Sequence, residues 1–168
     1  MKNITTRCGI WSLALTLFFA ATSASDAKET KQIRGTFIGQ SNVVPTGELV
    51  FRQENVATGT VTHLGRVTAE WVVREVRFPS PSQLMVAQPD WIGTMTAENG
   101  DQIFGTYTFR ATVLPITLIG EVQFVADLRI TGGTGRFEGA SGGGVSVGRG
   151  NIWTRQFSLD LNGVITRN

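Results

Sequence analysis

Three polar side chains fall on otherwise apolar faces of this chain, and they are the residues most able to do chemistry: His63, Tyr107 and Arg155. His63 is the only histidine of the chain. An imidazole and a phenol within an apolar wall could orient a ligand, and a guanidinium could meet its anionic end, because the planar fork matches a carboxylate. The three residues therefore indicate a site for a hydrophobic molecule with one polar or anionic end.

Each of these residues also has a purely structural interpretation. His63 could be a hydrogen-bonded interior residue, or Gly65 could form a β-bulge that turns it outward. Arg155 could lie at a barrel mouth, with its stem packed and its head in water. Tyr107 could belong to the core with one hydrogen bond. Gln53 is a fourth polar residue on an apolar face.

Carboxylates are almost absent from the apolar faces, which argues against acid–base catalysis. A barrel that catalyses acid–base chemistry usually holds a carboxylate in its interior, where burial raises the pKa of that group. Here Glu75 is the one acidic residue that falls on an apolar face of its strand. One histidine cannot build a zinc site, which needs three or four protein ligands, although counting residues leaves a Ser-His-Asp triad open. The pattern favours binding over an enzyme and predicts neither a metal nor a cofactor.

The glycine-rich stretch 130–144, ITGGTGRFEGASGGG, raises the question of phosphate binding. Glu138 stands where a dinucleotide fingerprint would have its third glycine, and no Gly-Lys-Ser/Thr follows. Phosphate loops also need a helix after the glycines, whereas Val145 and Val147 here begin a strand pattern. We therefore expect the glycines to reverse the chain, with Phe137 tucked under the turn.

Alternation of apolar and polar residues at period two predicts strands along nearly the whole chain. The predicted strands cover residues 32–40, 47–56, 60–76, 91–98, 102–112, 118–131, 143–150 and 151–163. Eight strands close into a barrel with a filled or ligand-sized interior. The sequence thus predicts an all-β fold, a single eight-stranded antiparallel β-barrel. The pair Asn99-Gly100 predicts a hairpin turn. Residues 77–90 are predicted to form a long irregular loop, which could act as a lid.

The same alternation predicts which side chains share the interior. With His63, Tyr107 and Arg155, the predicted cavity wall consists of large apolar residues: Phe51, Trp71, Trp91, Met95, Phe109, Phe124 and Trp153. Four apolar residues fall on the outward phase: Ile38, Val50, Phe104 and Val125. Because exposed apolar groups can mark subunit contacts, we expect a homo-oligomer.

The amino terminus has the order of a secretory signal peptide. Lys2 and Arg7 precede the apolar run Ile10–Ala21, and the small residues Thr22-Ser-Ala-Ser25 follow it. We expect residues 1–25 to be removed and 26–168 to form one secreted or periplasmic β-barrel domain, not held in a membrane because the run is too short to span one. Of the 15 basic and 13 acidic residues, 13 of each remain after cleavage, which argues against nucleic acid as a partner.

Three segments carry a resemblance to a known superfamily. Thr131–Gly142 resembles the glycine turn of dirigent and allene oxide cyclase-like barrels. Thr62–Arg66 and Ala97–Asp101 resemble segments of its uncharacterised secreted bacterial members. The resemblance spans roughly residues 32–165 and implies an eight-stranded barrel with a hydrophobic cavity, often oligomeric. In that superfamily, cavity carboxylates position a fatty-acid epoxide in the cyclases and handle quinone methides in plant dirigent proteins. These acidic positions do not map onto this chain, whose carboxylates are nearly all on the outward phase, so the resemblance carries over the fold and no activity.

Three functions of different classes follow. The first is a secreted barrel that binds a small hydrophobic or amphiphilic ligand. The second is a cofactor-free isomerase or cyclase, or a dirigent-like protein. The third is a packed structural or interaction barrel. Cavity volume separates the third from the others, since a ligand site needs roughly 300 Å³ or more.

Overall fold

The computed structural model describes residues 28–48, 50–80, 83–86, 91–110 and 120–167, without the side chains of 76–80, 83–86 and 110. The expected signal peptide lies outside the described residues, as do 81–82 and 87–90 of the predicted lid loop. Nine strands are present in the described residues: β1 Glu29–Gly47, β2 Val50–Val61, β3 Gly65–Ser80, β4 Gln83–Val86, β5 Trp91–Ala97, β6 Gln102–Arg110, β7 Glu121–Gly133, β8 Ser141–Asn151 and β9 Gln156–Arg167.

Eight of these strands form a closed antiparallel barrel, as the sequence predicts. The order around it is β1-β2-β3-β5-β6-β7-β8-β9, and β9 pairs with β1 to close the ring, with Phe37 opposite Leu159. Closure pairs the edges of the sheet, which would otherwise expose unpaired N–H and C=O groups. No helix among the described residues is long and apolar enough to cross a membrane.

The interval 77–90, predicted to be irregular, contains strand structure. β3 continues to Ser80, and β4 pairs with this extension outside the ring, with Val76 opposite Val86 and Ser80 opposite Gln83. The register shifts between Arg77 and Ser80, where Pro79 has no N–H to donate to a ladder. Pro79 therefore disturbs the pairing locally without ending the strand.

One end of the barrel, which we term the plugged end, is sealed by the glycine-rich segment. Residues 135–137 form a single turn of 3-10 helix, and Phe137 beneath it is 1% exposed, as predicted. Gly135 has a φ of 57°, and a Cβ there would collide with the Asp101 carboxylate. That carboxylate pairs with Arg136 at 3.2 Å. The glycines shape a turn, and no long helix follows them that could meet a phosphate.

The core lies between the plugged end and the middle of the barrel. Its largest fully buried side chains are Phe137, Ile33, Ile103, Ile165 and Val67, whereas Val73, also fully buried, belongs to a second cluster with Trp91. The predicted alternation is confirmed along β6, β7 and β9, where Ile103, Leu128 and Leu161 point inward. Burial of each such side chain stabilises the fold by about 1.5–3 kcal/mol relative to exposure. The opposite end, which we term the mouth, holds the turns β1–β2 and β8–β9.

Candidate ligand cavity

A cavity of about 480 Å³ occupies the mouth of the barrel. The residues that line this cavity include exposed ones at the rim as well as interior ones, so the cavity reaches the solvent. Its described lining comprises Ser41, Val43, Pro45, Phe51, Gln53, Asn55, Trp71, Trp91, Phe109, Val122, Phe124, Gly150, Asn151, Ile152, Trp153, Arg155, Gln156 and Phe157. This volume lies within the usual range for small-molecule sites, roughly 300–1,000 Å³.

Four aromatic residues form the bottom of this cavity, and we term them the aromatic floor: Trp71, Trp91, Phe109 and Phe124. Trp91 stacks on Phe109 with ring centroids 4.8 Å apart, and Phe109 stacks on Phe124 at 5.6 Å. Beneath the floor only about 30 Å³ is free. The barrel is thus filled below the floor and open above it.

The floor follows from strand parity and from one glycine. Trp91 begins β5 opposite Tyr107 of β6, and Phe109 lies two residues further along the inward side. On β7, Phe124 faces Gly148 of β8. A Cβ at Gly148 would overlap Phe124 Cζ, so glycine leaves room for this ring. The neighbouring β8 glycine therefore sets where the floor lies.

A hydrogen-bonded cluster on β1 and β2 forms one side of the cavity, and we term it the polar wall: Ser41, Gln53 and Asn55. Ser41 Oγ donates to Asn55 Oδ1 at 2.6 Å. Gln53 Nε2 donates to Ser41 Oγ and to Asn55 Oδ1, both at 2.9 Å. Asn55 is 3% exposed and donates through Nδ2 to the Trp71 carbonyl at 3.4 Å.

The β8–β9 turn brings Arg155 and Trp153 to the rim. Asn151 Oδ1 accepts the N–H groups of Trp153 and Thr154, at 2.9 and 3.0 Å, which bends the chain. Arg155 adopts a φ of 60°, is exposed, and accepts a hydrogen bond from Ser41 N through its carbonyl at 2.9 Å. Trp153 is 68% exposed. Arg155 thus lies at the barrel mouth, as its purely structural interpretation predicted. It lies in a turn, however, where a strand was predicted.

The predicted grouping of His63, Tyr107 and Arg155 in one cavity is wrong. His63 lies in the β2–β3 turn at the plugged end, exposed, with a φ of 66°. The turn occupies 62–64 because Thr62 Oγ1 accepts the Arg34 N–H at 2.9 Å and Leu64 N–H bonds to the Val61 carbonyl at 3.1 Å. The strand predicted from residue 60 therefore begins only at Gly65, and no inward phase exists at His63.

Tyr107 is in the interior but beneath the aromatic floor. It lines the small residual space with Met95 and stands 6.2 Å from Trp71 between ring centroids. Burial raises the pKa of its phenol to about 12, because removal from water disfavours the phenolate. Tyr107 is therefore a neutral core residue, separated from Arg155 by the floor.

No carboxylate of the described chain lines the cavity. Those predicted to point outward include Glu54, which pairs with Arg52 at 2.9 Å, and the exposed Glu70 and Asp160. Glu75 is half-buried on β3. Nor do the described residues contain three or more histidine, cysteine or acidic side chains grouped as a metal would require.

Two serines have the Gly-x-Ser-x-Gly spacing of a nucleophile elbow, Ser141 and Ser146. Such an elbow is a sharp turn from a strand into a helix, whereas both serines lie in β8. Ser146 is 4% exposed beneath the aromatic floor, and His63 lies at the plugged end. Among the described residues, no hydrogen bond joins His63 to either serine.

The polar wall is the part of the site that sequence interpretation missed, apart from Gln53. Asn55 has the same parity as Phe51 and Gln53, and β1 extends seven residues beyond the predicted end at 40, to Gly47. Carrying the period-two pattern through Ser41 and Asn55 would have placed both inside. Comparison of the chain with family models, curated proteins and solved structures finds no significant match.

Proposed function

We propose that this protein binds a small hydrophobic or amphiphilic molecule in the mouth cavity. The observation that carries the proposal is the open 480 Å³ space above a stacked aromatic floor. Stacked rings offer a large apolar area to the body of a ligand, and a few polar groups fix its orientation. Because no carboxylate of the described residues lines this space, the lining supports binding rather than acid–base catalysis.

The ligand's anionic end meets Arg155 at the rim. Arg155 is exposed, and none of the described acidic side chains forms an ion pair with it. A guanidinium stays charged at any working pH and binds a carboxylate with two parallel hydrogen bonds. The apolar chain of the ligand then extends inward to the aromatic floor. His63 and Tyr107 have no part in this mode of binding.

Titration with a fluorescent fatty acid tests this function. We expect saturable binding, weakened roughly two- to fivefold by Arg155→Ala, since an exposed ion pair contributes at most about 1 kcal/mol. Arg129→Ala, on the outer face of β7, and His63→Ala, at the plugged end, are matched controls expected to bind like the wild type. A methyl ester of the same fatty acid lacks the anion and should be insensitive to Arg155→Ala.

Two results would contradict the proposal. Absence of binding by the wild type would leave the packed structural barrel as the better interpretation. Equal weakening in all three variants would remove the role given to Arg155.

We also propose that the chain is exported after removal of residues 1–25 and that its barrel is related to the dirigent and allene oxide cyclase-like proteins. The order of charged, apolar and small residues up to Ser25 supports export. The closed eight-stranded ring and the glycine turn at 131–142 are consistent with the relationship. The fold alone carries no activity over to this chain.

A further inference from the structure

The polar wall has a defined hydrogen-bond polarity, which begins at Asn55. Its side-chain amide faces the Trp71 carbonyl at 3.4 Å. A carbonyl oxygen can only accept, so the atom of Asn55 that faces it is the nitrogen Nδ2. Asn55 Oδ1 therefore faces Ser41 and Gln53, where both of its contacts are donors.

The orientation of Gln53 follows from that of Asn55. Because Asn55 Oδ1 is an acceptor, the Gln53 atom 2.9 Å away is the donor Nε2, which lies at the same distance from Ser41 Oγ. Ser41 uses its single hydrogen on Asn55. Gln53 thus turns its amide nitrogen toward the other two residues of the polar wall. Its carbonyl oxygen Oε1 accepts no hydrogen bond from any residue that the structure describes.

From this polarity we propose that the cavity recognises a hydroxyl group on the body of its ligand, with Gln53 Oε1 as the acceptor. The proposal rests on the ligand-binding function given above and names a chemical class within it. A ligand hydroxyl would satisfy Oε1 and restore the hydrogen bond that it loses on leaving water. A ketone at the same place would bring two acceptors together and leave both unpaired, which costs more than a missing contact.

The surroundings of Gln53 should increase the preference for a hydroxyl over a ketone. Gln53 is half-buried, with Phe51 before it on the same strand and the aromatic floor below. A ligand that fills the cavity displaces water from this acceptor, so the difference between a paired and an unpaired state is then larger than at an open surface. The polar wall therefore selects ligands that carry a hydroxyl group, whereas Arg155 at the rim selects those with an anionic end.

Paired titrations with 2-decanol and 2-decanone test the inference, because the two molecules share a carbon skeleton and differ in the hydroxyl donor. Isothermal titration calorimetry measures the binding of both directly. We expect the wild type to prefer the alcohol by about tenfold. Gln53→Met keeps the side-chain length and removes the acceptor, so the preference should fall to nearly one. Gln123→Met, on the exposed outer face of β7, is the matched control and should retain it.

The outcomes separate this inference from the proposed function. If the fluorescent fatty acid binds but the wild type binds alcohol and ketone equally, hydroxyl recognition is overturned and the binding function stands. If the preference persists in Gln53→Met while that variant unfolds at the wild-type temperature, another group supplies the acceptor and the inference again fails. If none of the three ligands binds, both proposals are overturned.

Discussion

Single residues in this barrel owe their properties to which side of the aromatic floor they occupy. Arg155 above it is exposed and available to a ligand, whereas Tyr107 below it is partly buried, and this burial raises the pKa of its phenol. Trp91 stands at the boundary, 7% exposed, and its Nε1 has no hydrogen-bond partner within the described structure. An unpaired buried donor costs about 1–3 kcal/mol.

Alkaline pH should destabilise the fold through Tyr107. Burial raises the pKa of this phenol to about 12, above about 10 in an unfolded chain. The contribution of Tyr107 to the free energy of unfolding is therefore fully present below about pH 10. Above that pH it falls by about 1.4 kcal/mol per pH unit until the pKa of the folded state is reached. Tyr107 is the only tyrosine, so tyrosinate absorbance reports it alone. Tyr107→Phe should flatten this decline, and a titration midpoint near 10 in the folded protein would contradict the burial.

Among the elements, β8 combines a structural and a functional role. Its glycines allow close approach of β7 and β9, and Gly148 makes the space into which Phe124 of the floor extends. The strand also leads into the turn that holds Trp153 and Arg155 at the rim. The position of the floor and the shape of the mouth thus depend on the same short segment.

Substitution of Gly148 should destabilise the barrel and disturb the cavity together. The added methyl group of Gly148→Ala would overlap Phe124 Cζ and lie 2.7 Å from the Ser158 carbonyl oxygen. We expect the free energy of unfolding in urea to fall by about 1–3 kcal/mol, as for other overpacked cores, and fatty-acid affinity to change because the ring must move. Gly47→Ala is the control, since its Cβ meets nothing closer than 3.6 Å. Equal effects of the two substitutions would mean that close packing at Phe124 is not the cause.

The whole molecule divides stability and binding between its two ends. Ile33, Ile103, Ile165 and Phe137 pack the plugged end and middle, each at most 2% exposed. The mouth keeps a space that packing could otherwise have filled. Because dense packing supplies most of the stability of a small domain without disulfides, the plugged end compensates for the open mouth.

At the same scale, we expect the exported protein to consist of the cleaved chain in an oligomer. Ile38 is 70% exposed on the outer surface, while the other three outward apolar residues, Val50, Phe104 and Val125, are half-buried. A second copy covering Ile38 would remove apolar area from water. Native mass spectrometry measures both quantities, since the chain mass reports cleavage near residue 25 and the complex mass reports the number of copies. A strict monomer, or a chain that retains residues 1–25, would contradict the corresponding expectation.

The barrel could be predicted from the sequence alone, because strand parity and turn chemistry are local properties. Alternation placed Trp71, Trp91, Phe109 and Phe124 inside, and the glycine run predicted a turn over Phe137. Parity fails where a turn is displaced: the turn expected at 57–59 lies at 62–64, so His63 falls in the turn and has no inward phase.

The division of the interior into a filled layer and an open cavity follows from contacts between strands. Parity indicates that a side chain points inward, but the ring volumes contributed by β3, β5, β6 and β7 determine whether space remains beside it. For that reason Tyr107 lies in a filled layer and Gln53 in an open one, although both are inward residues. The polar wall depends likewise on the pairing of Ser41 with Asn55 across β1 and β2. Such contacts between residues distant in sequence arise only once the strands are in register.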